Sequence, residues 1–169
     1  YANRIPVEYP FLNRIVQLDE INITIAVERD TPGLEQATYA GTITNIDKLK
    51  ISEINRELRR ISNTEGEHGE RWTLFQRIVT KFPAPLARFI LRFPRLWPGL
   101  WVEHRGGAVM ISSPAKYGVD MLVGNWPWPI GFSFGLVKYR AIVVDGKIEA
   151  RPTMALVMSF DRRLMAGAP

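Results

Sequence analysis

The sequence predicts an α+β fold, with helices packed on a mixed β-sheet, in a single domain covering residues 1–169. Three observations carry this expectation. Asn22-Ile-Thr-Ile-Ala-Val-Glu28 alternates apolar Ile23, Ile25 and Val27 with other residues, the period of a half-buried strand. Residues 51–62 switch to helical spacing, with Ile51, Ile54, Leu58 and Ile61 on one face and Glu53, Arg56, Arg59 and Arg60 elsewhere. Asp145-Gly146 lies between the apolar flanks Ile142-Val-Val and Lys147-Ile148, the strongest short-range hairpin signal a sequence offers.

The remaining elements follow in order. Tyr9-Pro-Phe-Leu-Asn13 reads as a helix end and a turn, because Pro10 disfavours helix continuation. Thr31-Pro-Gly33 is a turn, and residues 37–44, rich in Thr, Tyr and Ile, form a second strand. Asn63-Thr-Glu-Gly-Glu-His-Gly69 is a polar, glycine-punctuated surface loop holding His68. Leu74, Phe75, Ile78, Val79 and Phe82 fit one helix face, which Pro83 and Pro85 interrupt. Leu86, Phe89, Ile90 and Phe93 fit another helix, ended by Pro94, and Leu96-Trp-Pro-Gly-Leu-Trp101 is an irregular apolar connection. Strands are expected over 107–112, 132–139 and 153–160, the last so apolar that it belongs in the centre of the sheet.

Composition narrows the function. Hydrophobic residues make up 46% of the chain and aromatics 11%, which suits a packed globular domain. With no cysteine, a disulfide framework, a thiolate metal site and a cysteine nucleophile are all excluded. That composition fits the cytoplasm or another reducing compartment such as the mitochondrial matrix. Neither a signal-peptide pattern nor an apolar run of about 18 residues is visible, and the abrupt ends lead us to expect a fragment, incomplete at both ends. The net charge of +5 is local: from Arg71 to Val102 there are six basic residues and no acidic one. We therefore read the basicity as one insertion at about 70–102 and not as a nucleic-acid surface. That insertion, with Trp72, Trp97 and Trp101 nearby, could cap the domain's own sheet, pack against a partner, or lie on an anionic membrane. Trp126-Pro-Trp-Pro129 could line a pocket, form an interface or plug the core.

The end of the chain, Met158-Ser-Phe-Asp-Arg-Arg-Leu-Met-Ala-Gly-Ala-Pro169, resembles the terminal signature of the dihydrolipoyl acyltransferases of 2-oxoacid dehydrogenase complexes. In that family a strand runs into Asp-His-Arg-x-x-Asp-Gly, whose His is the general base of acyl transfer. Asp161, Arg163 and Gly167 stand at the family's positions, whereas Arg162 holds the place of the His and Ala166 that of the second Asp. Further pieces occur in the family's order. Tyr9 to Asn13 resembles its Pro-x-Leu-Asn turn, and Ile23 to Val27 and Lys50 to Ile61 resemble its next strand and helix. Gly106-Gly-Ala-Val-Met-Ile-Ser-Ser113 resembles its Gly-Gly strand, and Val143 to Ile148 with Arg151-Pro152 its late hairpin. Residues 71–101 resemble instead the insertion of short stand-alone members, which lack lipoyl and partner-binding domains.

This resemblance implies a chloramphenicol acetyltransferase-like fold and a homotrimer, with trimers in larger members packed into cubic or icosahedral cores. It implies an active site between subunits, where the His of one faces an oxyanion-stabilising Ser or Thr of the next, and where coenzyme A and dihydrolipoamide enter from opposite ends. Ser112 aligns with that hydroxyl; its alternative is a strand end bonded locally to backbone.

Acyl transfer also needs a base for the attacking thiol. Arginine stays protonated near neutrality and cannot take that proton. The expectation is a catalytically degenerate homologue, a pseudoenzyme acting through assembly or ligand binding. The alternative is an active coenzyme A-dependent acyltransferase with a rearranged site. There Arg162 would favour a thiolate or grip an anion, or His104 would serve as base. The plain role of Arg162 is a salt bridge, with Asp161 or a neighbouring subunit.

Overall fold

The computed structural model describes residues 1–9, 12–31, 34–63, 81–124 and 126–165. Its centre is a five-stranded mixed sheet in the order β4-β3-β5-β6-β9. These strands are β3 (Ile23–Thr31), β4 (Leu34–Ile43), β5 (Val109–Ser112), β6 (Ile130–Phe134) and β9 (Leu156–Phe160). β3, β5 and β6 run parallel, while β4 and β9 are antiparallel to their neighbours. The expected α+β class and mixed sheet are therefore present.

Two hairpins flank this sheet. β1 (Arg4–Tyr9) and β2 (Leu12–Gln17) pair antiparallel, with Tyr9 opposite Leu12. The helix end expected at Tyr9 is thus a strand end: Ile5 and Val7, two apart, are buried on one face, and proline stops either element. β7 (Lys138–Val144) and β8 (Lys147–Thr153) form the Asp145-Gly146 hairpin, whose two turn residues adopt φ of 49° and 78°. Both being left-handed is what a type I′ turn requires.

Three helices are described: α1 (Ile51–Asn63), α2 (Ala84–Arg92) and α3 (Pro98–Arg105). α1 follows the predicted spacing and buries Ile61. α2 matches the predicted second helix. The expected helix over 74–82 and the His68 loop fall mostly outside the described residues. The stretch 96–101, expected to be irregular, carries the start of α3, because Pro98 at the first turn fits a helix beginning. α3 delivers Trp101 into a core with Ile5, Val7, Leu18 and Ala108.

A polar bolt joins α3 to the sheet. The Arg105 carbonyl accepts from Thr24 Oγ1 at 2.7 Å and from Trp128 Nε1 at 2.8 Å. The buried Asn22 side chain donates to the Gly106 carbonyl at 3.2 Å and accepts from the Asn45 N–H at 2.9 Å. Gly106 has φ of 75°, and a Cβ on Gly107 would run into the Asn22 carbonyl, so both glycines of the Gly-Gly motif are sterically required.

Two strand expectations are corrected. The run 132–139 is not one strand: β6 ends at Phe134 and β7 starts at Lys138. Between them Gly135 presses against the Asp120 carbonyl, where no side chain fits, and the chain leaves the sheet. The apolar 153–160 segment, expected to be central, gives β9, an edge strand with Leu156 63% and Met158 45% exposed. Its apolar character has no counterpart within the described part of one chain.

Candidate functional site

The terminal signature folds as a short turn after β9. Phe160 lies opposite Ile130, and the Asp161 N–H donates to the Pro129 carbonyl at 2.7 Å. Leu164, 6% exposed, closes the turn through its N–H to the Asp161 carbonyl at 2.9 Å. Asp161 and Arg163 then clasp each other. The carboxylate accepts from the Arg163 backbone N–H at 2.9 Å, from Nε at 3.0 Å and from Nη2 at 2.5 Å. Arg163 also donates to Glu8 of β1 at 3.2 Å, and Arg95 lies 3.5 Å from the same Glu8 oxygen. The side-chain hydrogen bonds from Arg163 hold the Asp161 carboxyl below the usual range, against the opposing effect of burial. The same partnership raises the Arg163 guanidinium above its ordinary value.

Arg162, at the position of the family's His, sits between these clasped residues and is itself exposed. It makes no hydrogen bond or ion pair among the described residues. The salt bridge expected from Arg162 to Asp161 is made by Arg163 instead, whose backbone and side chain both reach that carboxylate. Ala166 lies outside the described residues. His104 is exposed in the last turn of α3 and lines neither cavity described below, and His68 is outside the described residues.

Ser112 is the last residue of β5, opposite Ser133 of β6. Its half-buried hydroxyl has no hydrogen-bond partner among the described residues. The local backbone bonding weighed for Ser112 belongs to Ser113, which donates to the Phe134 carbonyl at 3.0 Å and accepts from the Ala115 N–H at 3.4 Å.

One chain does not bring Ser112 and Arg162 together. Ser112 is level with Ser133 near the end of β6, whereas Phe160, two residues before Arg162, is level with Ile130 at its start. Three residue steps along a strand span roughly 10 Å, and the turn begins beyond them. The two positions therefore flank opposite ends of β6.

Beside the turn is a cavity of about 200 Å³ walled by Trp101, Trp126, Trp128 and Phe160, with Arg95 and Arg163 at its edge. Of the readings open for Trp126-Pro-Trp-Pro129, the pocket lining is the one observed. A second cavity, of about 330 Å³, lies between β2 and α3 and includes Leu18, Asn22 and Val102. Among the described residues there is no cluster of His, Cys, Asp and Glu that could hold a metal ion.

Sequence reasoning missed Glu8 and Arg95 as partners of the signature turn. Glu8 is 155 positions from Arg163, and a charge in a short strand gives no signal of so distant a partner. In the described part of the basic segment, α3 packs Trp101 into the core, whereas α2 and the turn after it leave Leu86, Phe89 and Phe93 between 44% and 63% exposed beside exposed Arg88 and Arg92. Among the described residues no helix is long and apolar enough to cross a membrane.

No protein-family model matches the chain. Over 64 residues it is 39% identical to the dihydrolipoyllysine-residue succinyltransferase component of the 2-oxoglutarate dehydrogenase complex of Rickettsia conorii, a match covering 37% of this chain and 16% of that protein. The corresponding Bartonella vinsonii subsp. berkhoffii protein is 36% identical over 67 residues and is covered to the same 16%. Among solved structures, a probable dihydrolipoamide acetyltransferase from Listeria monocytogenes superposes with a TM-score of 0.57 at 20% identity, covering 96% of this chain and 55% of that one. Azotobacter vinelandii dihydrolipoamide acetyltransferase gives a TM-score of 0.50 at 19% identity, covering 98% of this chain and 54% of that one. The chain thus spans about half the length of the structures it matches and a smaller share of the curated relatives. It shares the fold of these acetyltransferase structures over nearly all of its length, and over 37% of it is similar in sequence to the succinyltransferase components of 2-oxoglutarate dehydrogenase complexes.

Proposed function

We propose that the chain is a catalytically degenerate acyltransferase-core homologue that acts through assembly or ligand binding. The observation that carries this reading is Arg162: the His position sits on an intact turn, between clasped Asp161 and Arg163, and presents a cation that cannot take a thiol proton. A positioned base is worth roughly 10²–10⁴ in rate, so its loss leaves little of the transfer. Asp161 and Arg163 around the position are kept, while the base and, at Ala166, the second Asp are gone.

The assembly we propose is a homotrimer. Ser112 and Arg162 lie at opposite ends of β6 in one chain, so a site using both needs a second copy. The β7–β8 hairpin also exposes Tyr139 to 75%, Val143 to 71% and Ile148 to 78%, and β9 exposes Leu156. A two-stranded ribbon with such faces needs a covering surface, which a neighbouring copy supplies. The solved cubic core of a pyruvate dehydrogenase complex, with a TM-score of 0.50 to this chain, supports a larger assembly as the next level. Coenzyme A, if bound, lies between copies: the two cavities described, about 200 and 330 Å³, fall below and at the bottom of the roughly 300–1,000 Å³ range of drug-sized sites.

A second reading, an active coenzyme A-dependent acyltransferase, is favoured by one observation: the Ser112 hydroxyl is uncommitted and could serve an oxyanion. The test is rescue. Arg162→His combined with Ala166→Asp, assayed with acetyl-coenzyme A and dihydrolipoamide, should gain transfer if an otherwise intact channel remains. Absence of any gain in a trimeric variant would show that the channel is lost as well. Light scattering on the native chain should give a trimer, and a monomer at micromolar concentration would contradict the assembly.

A further inference from the structure

The cavity beside the signature turn has the make-up of a ligand site; Asp161 and Arg163 line it, but neither Ser112 nor Arg162 does. Its walls are four aromatics. Trp101 is 1% exposed and pinned by its Nε1 to the Gly107 carbonyl at 2.9 Å. Trp128 is flanked by Pro127 and Pro129 and pinned by its Nε1 to the Arg105 carbonyl at 2.8 Å. Flat indole faces held this way bind without a large ordering cost.

The charges decide the sign of the ligand. An aromatic cage commonly takes a cation. Here the rings already carry one from outside the lining: the Arg105 guanidinium lies 4.5 Å from the Trp101 ring centre and 6.0 Å from that of Trp128, and donates to the Pro127 carbonyl at 2.6 Å, while Arg95 and Arg163 line the cavity itself. Asp161, the acid of the lining, is engaged by Arg163 through both carboxylate oxygens. Arg95 differs from these. Its polar contact among the described residues is one Glu8 oxygen at 3.5 Å, the limit of a hydrogen bond, so most of its N–H fork faces no acceptor. The Trp126 N–H likewise has no acceptor among the described residues, and the Ser159 hydroxyl reaches the Gly131 carbonyl only at 3.5 Å. The uncommitted groups are the N–H donors of Arg95 and Trp126 and a hydroxyl that can donate or accept.

We propose that this cavity binds a small aromatic carboxylate, its ring between the tryptophans and its carboxylate on the fork of Arg95. A planar carboxylate matches that fork in bidentate geometry, and a neighbouring Arg105 strengthens the attraction. At roughly 30 Å³ per water the 200 Å³ space equals six or seven waters, the scale of one ring with its acid group. The site needs nothing from the acyltransferase reading and stands whether or not transfer is detected.

The test uses benzoate as probe, titrated into the native chain and followed by isothermal calorimetry and by tryptophan fluorescence, with benzamide and acetate as controls. Saturable benzoate binding is expected, at least about tenfold tighter than benzamide, because hydrogen bonds to a charged group carry that difference. Arg95→Gln should weaken benzoate about tenfold or more and leave benzamide unchanged, while Arg95→Lys, which keeps the charge and loses the fork, falls between. Trp126→Leu should weaken both ring compounds. Circular dichroism and the melting midpoint show that each variant is folded; Arg95 is half-buried and makes one long polar contact among the described residues. No saturation below roughly 10 mM, equal affinity for benzamide, or unchanged benzoate binding in folded Arg95→Gln would each overturn the proposal.

Discussion

β5 and β9 lie on either side of β6 and read alike in sequence, yet they occupy different worlds. β5 is buried, with Val109 3% and Met110 6% exposed, and is locked at its start by the Gly106-Gly107 turn. β9 is as apolar but stands at the sheet edge with Leu156 and Met158 open. The β7–β8 hairpin beside it shows the same excess of exposed apolar side chains. An apolar strand at an edge is a hazard unless something covers it. The contrast teaches that hydrophobicity in this sequence records burial within the chain at β5, and at β9 an apolar surface that we propose further copies cover.

The comparison can be broken first on the β5 side. Trp101→Ala removes the largest buried side chain among the described residues and the Nε1 bond to Gly107, and should cost about 3–5 kcal/mol in urea unfolding. Gly107→Ala drives a methyl into the Asn22 carbonyl and should cost about 2–3 kcal/mol, measured the same way. A loss below about 0.5 kcal/mol for either would mean that the bolt between α3 and the sheet is not as described.

The signature turn lies between the extremes. Asp161→Asn should cost about 1 kcal/mol, a modest figure because Arg163 is 45% exposed and solvent screens the pair. The folded-state carboxyl is held below its ordinary value, so its contribution is complete above about pH 4 and lost as pH falls through the lower folded-state value. The stability gap between native and Asp161→Asn chains should therefore be level from neutrality to about pH 4 and close below it. A gap that closes as pH rises would contradict the clasp.

The smallest effects on the single chain belong to its open faces. Leu156→Ser and Ile148→Ser, with 63% and 78% of those residues exposed, should change the stability of the dispersed chain by less than about 0.5 kcal/mol. Each should nonetheless weaken association in light scattering. Association unaffected by both would move the interface elsewhere.

Much of this fold was legible from local pattern. The alternation of β3, the helical spacing of α1 and the Asp145-Gly146 turn each specify themselves within a dozen residues, and the structure has all three. What failed was non-local. Pro10 could end a helix or a strand, and only the buried pair Ile5 and Val7 decides for the strand. β9 could not be told from a central strand because its run of apolar residues does not say what covers it. At the site, Asp161, Arg162 and Arg163 were found from the motif, but which arginine pairs with Asp161 was not, since backbone geometry decides it. Glu8 and Arg95 carry no local mark of their partnership with the turn.

We propose that an acyltransferase-like framework persists here without its base. The most direct measurement is acyl transfer between acetyl-coenzyme A and dihydrolipoamide by the unaltered chain, with Ser112→Ala in parallel. We predict no transfer above the uncatalysed background and no difference between the two proteins. Turnover well above background that Ser112→Ala lowers by about 10²–10³ would contradict the account, because an oxyanion donor would then be serving a working site.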